Sequence, residues 1–495
     1  MEATIMITQA PARAATPAPA RSRWFALVVL CAGMLMIILD QTIVTVALPA
    51  IQQELGFTTA DLAWVVNAYV IPFGGLLLLA GRLGDLLGRK SVFVTGLIVF
   101  TTASVLCGLA TTPELLIAAR FVQGIGGAIT SAVVLGMIVP MFPEPRERAR
   151  AIGIYAFVGS AGATIGFFAG GLLTEALSWH WIFFVNAPIG VVAAALAIRI
   201  FPAERGLGLA AGADALGALL VTAGLMLGVY TIVATGSHGW GSVHTLGFGG
   251  ASIALLVAFV VRQATARSPL LPLRVFRSRN VSGANVVQAL MVAGLLGWQF
   301  LNTLYLQQVL GYSPVEAGLA VVPVALAIGT LSLGFSARLN TRFGPRRVLI
   351  AGLVLITVGV ALVSRVPLDA DYLTDLLPGI VIFGTGGGLA LPAVTTLAMS
   401  DATDADAGLV SGLANTTQSI GSALGLAILA TVAAARTAAL SPAAIPTPQS
   451  LTSGYRAAFA VSVALLLTAL TVAATVPHPT HPTRPAHPTR PARPS

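Results

Sequence analysis

Residues Leu39 to Pro49 read LDQTIVTVALP, and they place one carboxylate, Asp40, inside a stretch from Trp24 to Ala50 that otherwise carries no charge. About 20 apolar residues of helix cross the roughly 30 Å hydrocarbon core of a bilayer, so this stretch is long enough to span one. An acid at that depth costs about 2.5 kcal/mol or more, which makes it a candidate functional site. The alternative is an aspartate that merely bonds a neighbouring helix or sits nearer the interface. Counted at 1.5 Å per residue from Trp24, Asp40 lies about 24 Å along the helix, in its outer half.

The remainder of the chain extends the same pattern. Of its 495 residues 56% are hydrophobic and only 9% are charged, and the mean hydropathy is +0.89, far from the composition of a soluble domain. Apolar runs near 24–50, 61–80, 91–111, 114–140, 151–173, 181–201, 213–235, 243–262, 281–310, 315–337, 347–364, 375–399, 407–435 and 455–476 predict fourteen transmembrane helices. If the N-terminus is cytoplasmic, 23 of the 27 Lys and Arg residues fall on the cytoplasmic side. The positive-inside rule therefore puts both termini in the cytoplasm of a multi-pass protein of the cell inner (plasma) membrane. The net charge of +9 lies in short loops between spans, so it indicates membrane topology and no nucleic-acid partner. Cys31 and Cys107 lie inside predicted spans and read as reduced thiols.

Two loops, GRLGDLLGRK at 81–90 and ARLNTRFGPR at 337–346, share Arg-Leu at their second and third positions, Gly at the eighth and a basic end. The fold class that follows is an all-α membrane protein of two pseudo-symmetric six-helix bundles, at 24–201 and 281–476, with two inserted helices at 213–262. Such duplication suits transporters that rock two halves about a midplane site. Residues 1–23 and 477–495 read as disordered cytoplasmic tails, the second rich in Pro, His and Arg. His478, His481 and His487 alternate with proline in extended chain, a poor metal site. The glycine-rich run GTGGGLALP at 384–392 has no lysine and lies within a span, so it does not read as a nucleotide loop.

Taken together and in order, several stretches resemble the fourteen-helix drug:proton antiporters of the major facilitator superfamily. They are LDQTIVTVALP, GRLGDLLGRK, RFVQGIGGA at 120–128, SWHWIFFVNAPIG at 178–190, GYSPVEAGLAVVP at 311–323 and GLVSGLANTTQSIGSALG at 408–425. The resemblance covers nearly the whole chain apart from the tails. It implies that Asp40 takes part in proton coupling or cation binding and that Arg120 serves proton transfer. It further implies that Asp85 docks against the other half in the outward-open state.

The residues themselves support these roles and also simpler ones. Arg120 needs a partner or a water-filled cavity, unless it snorkels to the interface. Gln123, Gly124 and Gly127 share its helix face and leave room in a central cavity, or allow close packing. Gly81, Asp85, Gly88, Arg89 and Lys90 read as a gating loop, in which Asp85 would meet the start of the thirteenth span and Asp401, Asp404 and Asp406 would hold Arg89 and Lys90. The alternative is a solvated turn. Gly162, Gly166 and Gly170 repeat every four residues, with Gly171 beside them, as a close-packing stripe. Gly166 is followed by Phe167 where the family has proline, so a kink tied to export is missing. His180 replaces a commoner arginine. Trp64, Asn67, Tyr69, Asn415 and Gln418 are possible substrate contacts, and Trp298, Phe300, Asn302 and Gln307 are weaker ones.

The function expected is a proton-coupled efflux antiporter for amphipathic drugs or antibiotics. Its partners are protons, a lipophilic or cationic small molecule and membrane lipids; it works as a monomer, without cofactor or metal. An exporter of an endogenous natural product or lipid is the alternative, then an uptake symporter. A polytopic enzyme or sensor is remote, because the six histidines are scattered and no soluble sensing domain is attached.

Overall fold

The computed structural model describes residues 20–202, 206–208, 212–266, 269–365, 367–368, 370–399, 407–441 and 446–475. Every regular element among them is helical. The first part comprises α1 (Ala20–Leu55), α2 (Thr59–Leu87), α3 (Arg89–Gly108), α4 (Pro113–Met141), α5 (Pro145–Ala176), the short α6 (Trp181–Phe184) and α7 (Asn186–Ile200). A hairpin follows, α8 (Ala215–His238) and α9 (Val243–Thr265). The last part comprises α10 (Arg279–Gln308), α11 (Pro314–Thr330), α12 (Ser336–Phe343), α13 (Pro345–Val363), α14 (Leu377–Met399), α15 (Ala407–Leu440) and α16 (Pro448–Thr475).

Among the described residues thirteen helices are long and apolar enough to cross a membrane, and the protein is a multi-pass membrane protein. The expected span at 315–337 is the one that falls short as a single α-helix. Pro314–Thr330 has 17 residues, but the chain runs on through one π-helical turn, Leu331–Phe335, into α12. A π-turn inserts one residue into the helical repeat and offsets the faces on either side of it.

Local chemistry sets the helix ends. Thr112 and Ser313 cap α4 and α11 with proline following each, and Ser313 with Glu316 completes a capping box. The expected loop at 81–90 is corrected by the structure. Gly81 and Asp85 belong to α2, which continues to Leu87, and the whole reversal is made at Gly88, with φ +90°. Gly344, at the same position of the second loop, has φ +84° and joins α12 directly to α13. A side chain at such a φ is strained, so both loops need the glycine that their alignment marks.

The duplication extends into packing. A Cβ on Gly96 would come 2.6 Å from Thr130 N, and one on Gly352 would come 2.8 Å from Ala390 N. These contacts draw α3 onto α4 and α13 onto α14 in the same way. α1 packs on α5 and α7, α2 on α4, and α10 on α15 and α16. The two groups of helices meet along α2 and α15 and along α5 and α11, while α8 covers the first of these seams. α8 and α9 are pinned at one end by Asp214, which accepts hydrogen bonds from Gly217 N (3.0 Å), Gln263 Nε2 (2.9 Å) and Arg262 Nε (3.0 Å).

Arg89, Lys90, Arg346 and Arg347 mark the basic end of the molecule. At the opposite end the halves are tied together. Glu175 accepts a hydrogen bond from Val315 N at 3.1 Å, Gln307 Nε2 donates to Val46 O at 2.8 Å, and Gln308 Nε2 donates to Gln52 Oε1 at 2.7 Å. Glycines permit this approach, since a Cβ on Gly171 would lie 2.7 Å from Val315 Cα, and one on Gly318 would strike Phe167 O. Phe167 therefore occupies the crossing of α5 and α11, within an unbroken α5.

Gly88→Ala should lower stability by about 1–2 kcal/mol, because alanine at positive φ is strained. Gly81→Ala, helical and with open space around its Cα, should instead be neutral or stabilising by about 0.5–1 kcal/mol. Thermal unfolding of the two purified variants in one detergent checks the contrast.

Candidate functional site

Asp40 is fully buried on α1 and accepts three hydrogen bonds, from Arg120 Nη1 at 2.5 Å, Gln123 Nε2 at 2.8 Å and Asn186 Nδ2 at 3.1 Å. Arg120, 1% exposed on α4, also donates from Nη1 to Gln123 Oε1 at 2.8 Å and from Nε to Val65 O of α2 at 3.0 Å. Gln123 stands one helical turn after Arg120, and so can reach both members of the pair. Around this core Asn186 donates to Ser104 Oγ (3.1 Å), Ser104 donates to Phe183 O (2.9 Å), and the Cys107 thiol donates to Gln123 Oε1 (3.4 Å). The guanidinium carbon lies 4.4 Å from the centre of the Tyr69 ring and 5.8 Å from that of Phe183, a cation–π arrangement. Asp40, Arg120 and their partners thus bind α1, α2, α3, α4 and α7 into one unit.

A cavity of about 420 Å³ lies between the halves, within the size range of small-molecule sites. Gln41, Tyr69 and Arg120 line one wall, and Gln299, Asn415 and Gln418 line the other, with Ile37, Leu295 and Leu391 among the apolar residues. Arg120 reaches the cavity, whereas Asp40 stands behind it with no exposed surface. Gln41 Nε2 lies 3.5 Å from the Tyr69 hydroxyl, and Gln288 Nε2 lies 3.5 Å from Gln418 Oε1.

The structure brings Asp40, Arg120, Gln123 and Tyr69 together, and sets Asn415 and Gln418 across the cavity from them. It places the other expected residues elsewhere. Trp64 packs into the apolar cluster that α8 forms over Ile71 and Val221. Asn67 and Asn302 are fully buried with both amide atoms unpartnered, away from the cavity. Trp298 stacks on Phe383 with ring centres 3.9 Å apart, and Phe300 is buried. Gly124 and Gly127 serve packing and not cavity space: a Cβ on Gly124 would strike Tyr69 O, and one on Gly127 would meet the Tyr69 hydroxyl at 2.8 Å. Gly162, Gly166 and Gly170 lie against Leu35, Thr42 and Ile43 of α1.

At the basic end Asp85 pairs with Arg89 at 3.3 Å. Arg89 donates to Gly136 O at 2.6 Å, and Lys90 donates to Ile198 O and Phe201 O at 2.7 and 2.5 Å. These groups are thus engaged with α4 and the end of α7. Asp401, Asp404 and Asp406 lie outside the described residues, as do His478, His481 and His487. His180 Nε2 faces Glu54 at 3.7 Å, and Glu54 accepts from Trp179 Nε1 at 2.7 Å. Among the described residues no group of three or more His, Cys, Asp or Glu side chains could hold a metal ion.

Sequence reasoning missed Asn186, Ser104, Gln41, Gln299 and Glu175. Asn186 and Gln41 carry a signal, an amide in an apolar span within a recognised motif. Ser104 and Glu175 carry none, because each acts through a helix distant in sequence.

Removing one partner of a buried ion pair strands a charge, at a cost of about 3–5 kcal/mol. Arg120→Ala should therefore sharply reduce the yield of folded protein, and Asp40→Asn in the same chain should restore much of it. Size-exclusion profiles and thermal unfolding of the single and double variants test this.

The family model for the Major Facilitator Superfamily matches residues 30–426. The chain is 39% identical over 463 residues to the puromycin resistance protein of Streptomyces alboniger, covering 92% of this chain and 91% of that one. It is 38% identical over 454 residues to the cephamycin export protein CmcT of Amycolatopsis lactamdurans, covering 91% and 92%. A solved bacterial homologue of the human lysosomal transporter Spinster, in an inward-facing and unoccupied conformation, shares the fold at a TM-score of 0.66 and 18% identity, covering 92% of this chain and 97% of that one. With about four fifths of its length matched by the family model and with relatives this similar, the chain belongs to the Major Facilitator Superfamily.

Proposed function

We propose that the protein exports small amphipathic drugs or natural products across the cell inner membrane in exchange for protons, working as a monomer with both termini in the cytoplasm. The observation that carries this reading is the buried Asp40–Arg120 pair at the wall of a cavity between two helix bundles. Relatives named for puromycin resistance and for cephamycin export support the direction and the cargo.

While Asp40 is charged it holds the Arg120 guanidinium in the wall. A proton on Asp40 removes that counter-charge, loosens Arg120 and the Gln123 and Asn186 amides that donate to the carboxylate, and reshapes the cavity side on which Tyr69 and Gln41 lie. Proton and cargo then favour different arrangements of one cluster, which is the differential affinity that an exchange requires. Each proton entering down the membrane potential supplies about 2.3 kcal/mol per 100 mV. The bonds of Glu175, Gln307 and Gln308 would close the outer side while cargo enters from the cytoplasm. Asp85, Gly88, Arg89 and Lys90 would govern the inner side, with the two bundles at 24–201 and 281–476 as the moving bodies.

In proteoliposomes with an imposed pH gradient, the Asp40→Asn protein that size exclusion recovers folded should lose at least tenfold of gradient-driven efflux while still binding cargo; equal pumping by variant and parent would refute the proton role. Glu175→Gln removes a charge-assisted hydrogen bond between the halves and should favour the outside-open state. A cysteine at Thr45, in a background with Cys31 and Cys107 replaced by serine, should then react several-fold faster with a membrane-impermeant maleimide added outside.

A further inference from the structure

We infer that the central cavity selects uncharged amphiphiles carrying several hydrogen-bonding groups and discriminates against organic cations, an inference that rests on the export reading.

The first observation is the whole distribution of acids. Among the described residues, Glu54, Asp61, Glu114, Glu175, Glu316, Asp371 and Asp375 stand at one end of the helices, and Asp85, Glu144, Glu147 and Asp214 at the other. Asp40 is the single described acid left in the interior of a span. It is fully buried, bonded to three donors and absent from the cavity wall. Among the described residues, the one charged side chain in that wall is Arg120. With Asp40 ionised the cluster is neutral, and with Asp40 protonated it is positive; in neither state does the cavity present negative charge. A cation entering it gives up water, finds no counter-ion and faces the guanidinium, so its burial is uncompensated.

The second observation is what the wall offers instead. The amides of Gln41, Gln299, Asn415 and Gln418 and the hydroxyls of Ser419 and Ser422 line the cavity. Gln299 is half-buried, and its side-chain amide makes no hydrogen bond among the described residues. Such a set both donates to carbonyl or ether oxygens and accepts from hydroxyls and amides. Between these polar groups Ile37, Ile38, Leu295, Leu296, Ile328 and Leu391 supply the apolar contact. A mostly apolar pocket with a few fixed neutral hydrogen-bonding groups fits an uncharged polycyclic or aryl compound of moderate size.

The test uses the full-length protein in proteoliposomes with a pH gradient and two probes, chloramphenicol as an uncharged hydrogen-bonding amphiphile and tetraphenylphosphonium as a permanent cation. The parent should drive chloramphenicol efflux at least tenfold faster than tetraphenylphosphonium efflux. Gln299→Glu or Gln418→Glu, each placing a carboxylate in the wall, should raise tetraphenylphosphonium efflux at least tenfold over the parent. Comparable transport of the two probes by the parent overturns the inference and leaves the export reading standing. So does failure of both variants, correctly inserted, to gain cation transport. If the parent moves neither probe nor any of a wider panel of neutral and cationic drugs, the export reading fails, and the inference with it.

Discussion

A buried salt bridge holds this protein's centre together. Taking Asp40 and Arg120 out of water is costly, and their attraction repays that cost only because the remaining lone pairs and protons are also satisfied. Gln123, Asn186 and the Val65 carbonyl supply those partners, and each comes from a different place in the chain. The cluster thereby specifies how α1, α2, α4 and α7 sit against one another. Van der Waals packing of glycines can bring helices close in lipid, but an unpaired charge forbids nearly every alternative arrangement.

The buried ion pair belongs to one half of a duplicated architecture. The run RFVQGIGGA at 120–128 has its counterpart in IVIFGTGGG at 380–388, where the glycines recur but Ile380 stands for Arg120 and Phe383 for Gln123. The backbone consequence is shared: Gly126 packs against Phe100 and Gly386 against Ile356, the equivalent neighbours. The chemical consequence is opposite, for Phe383 stacks on Trp298 in the place where Gln123 meets Asp40. One bundle thus carries the ionisable cluster, while the other presents an apolar core and a row of neutral amides on α15 to the cavity. Two halves that share helix packing but differ in charge can move as rigid bodies and still respond differently to a proton.

The seams between the halves are also unequal. α8 fills the groove over α2 and α15, with Thr222 against Gly75, whereas α5 and α11 cross directly, backbone against backbone, at Gly171 and Gly318. Phe167 sits at this second crossing, and its carbonyl rather than its ring makes the close approach to Gly318. α5 is continuous through this point, and the crossing is made by glycine on both helices.

The amino-acid sequence alone determined the all-helical membrane class, the duplication and the presence of Asp40 and Arg120 as charges within spans. Each of these rests on a local property: an apolar run of a given length, a glycine that a positive φ requires, a charge where hydrocarbon forbids one. It placed Gly81 and Asp85 in a loop because polar residues end an apolar run, but hydrogen bonding continues the helix until Gly88 permits reversal. Only the tertiary structure decided that Asn186 and Ser104 complete the charge cluster and that Glu175 reaches α11. It alone set Gly124 against a backbone rather than beside open space, and turned Trp64 toward α8. Those outcomes depend on which helix faces which across tens of ångströms, and no periodicity within a single helix encodes its neighbour.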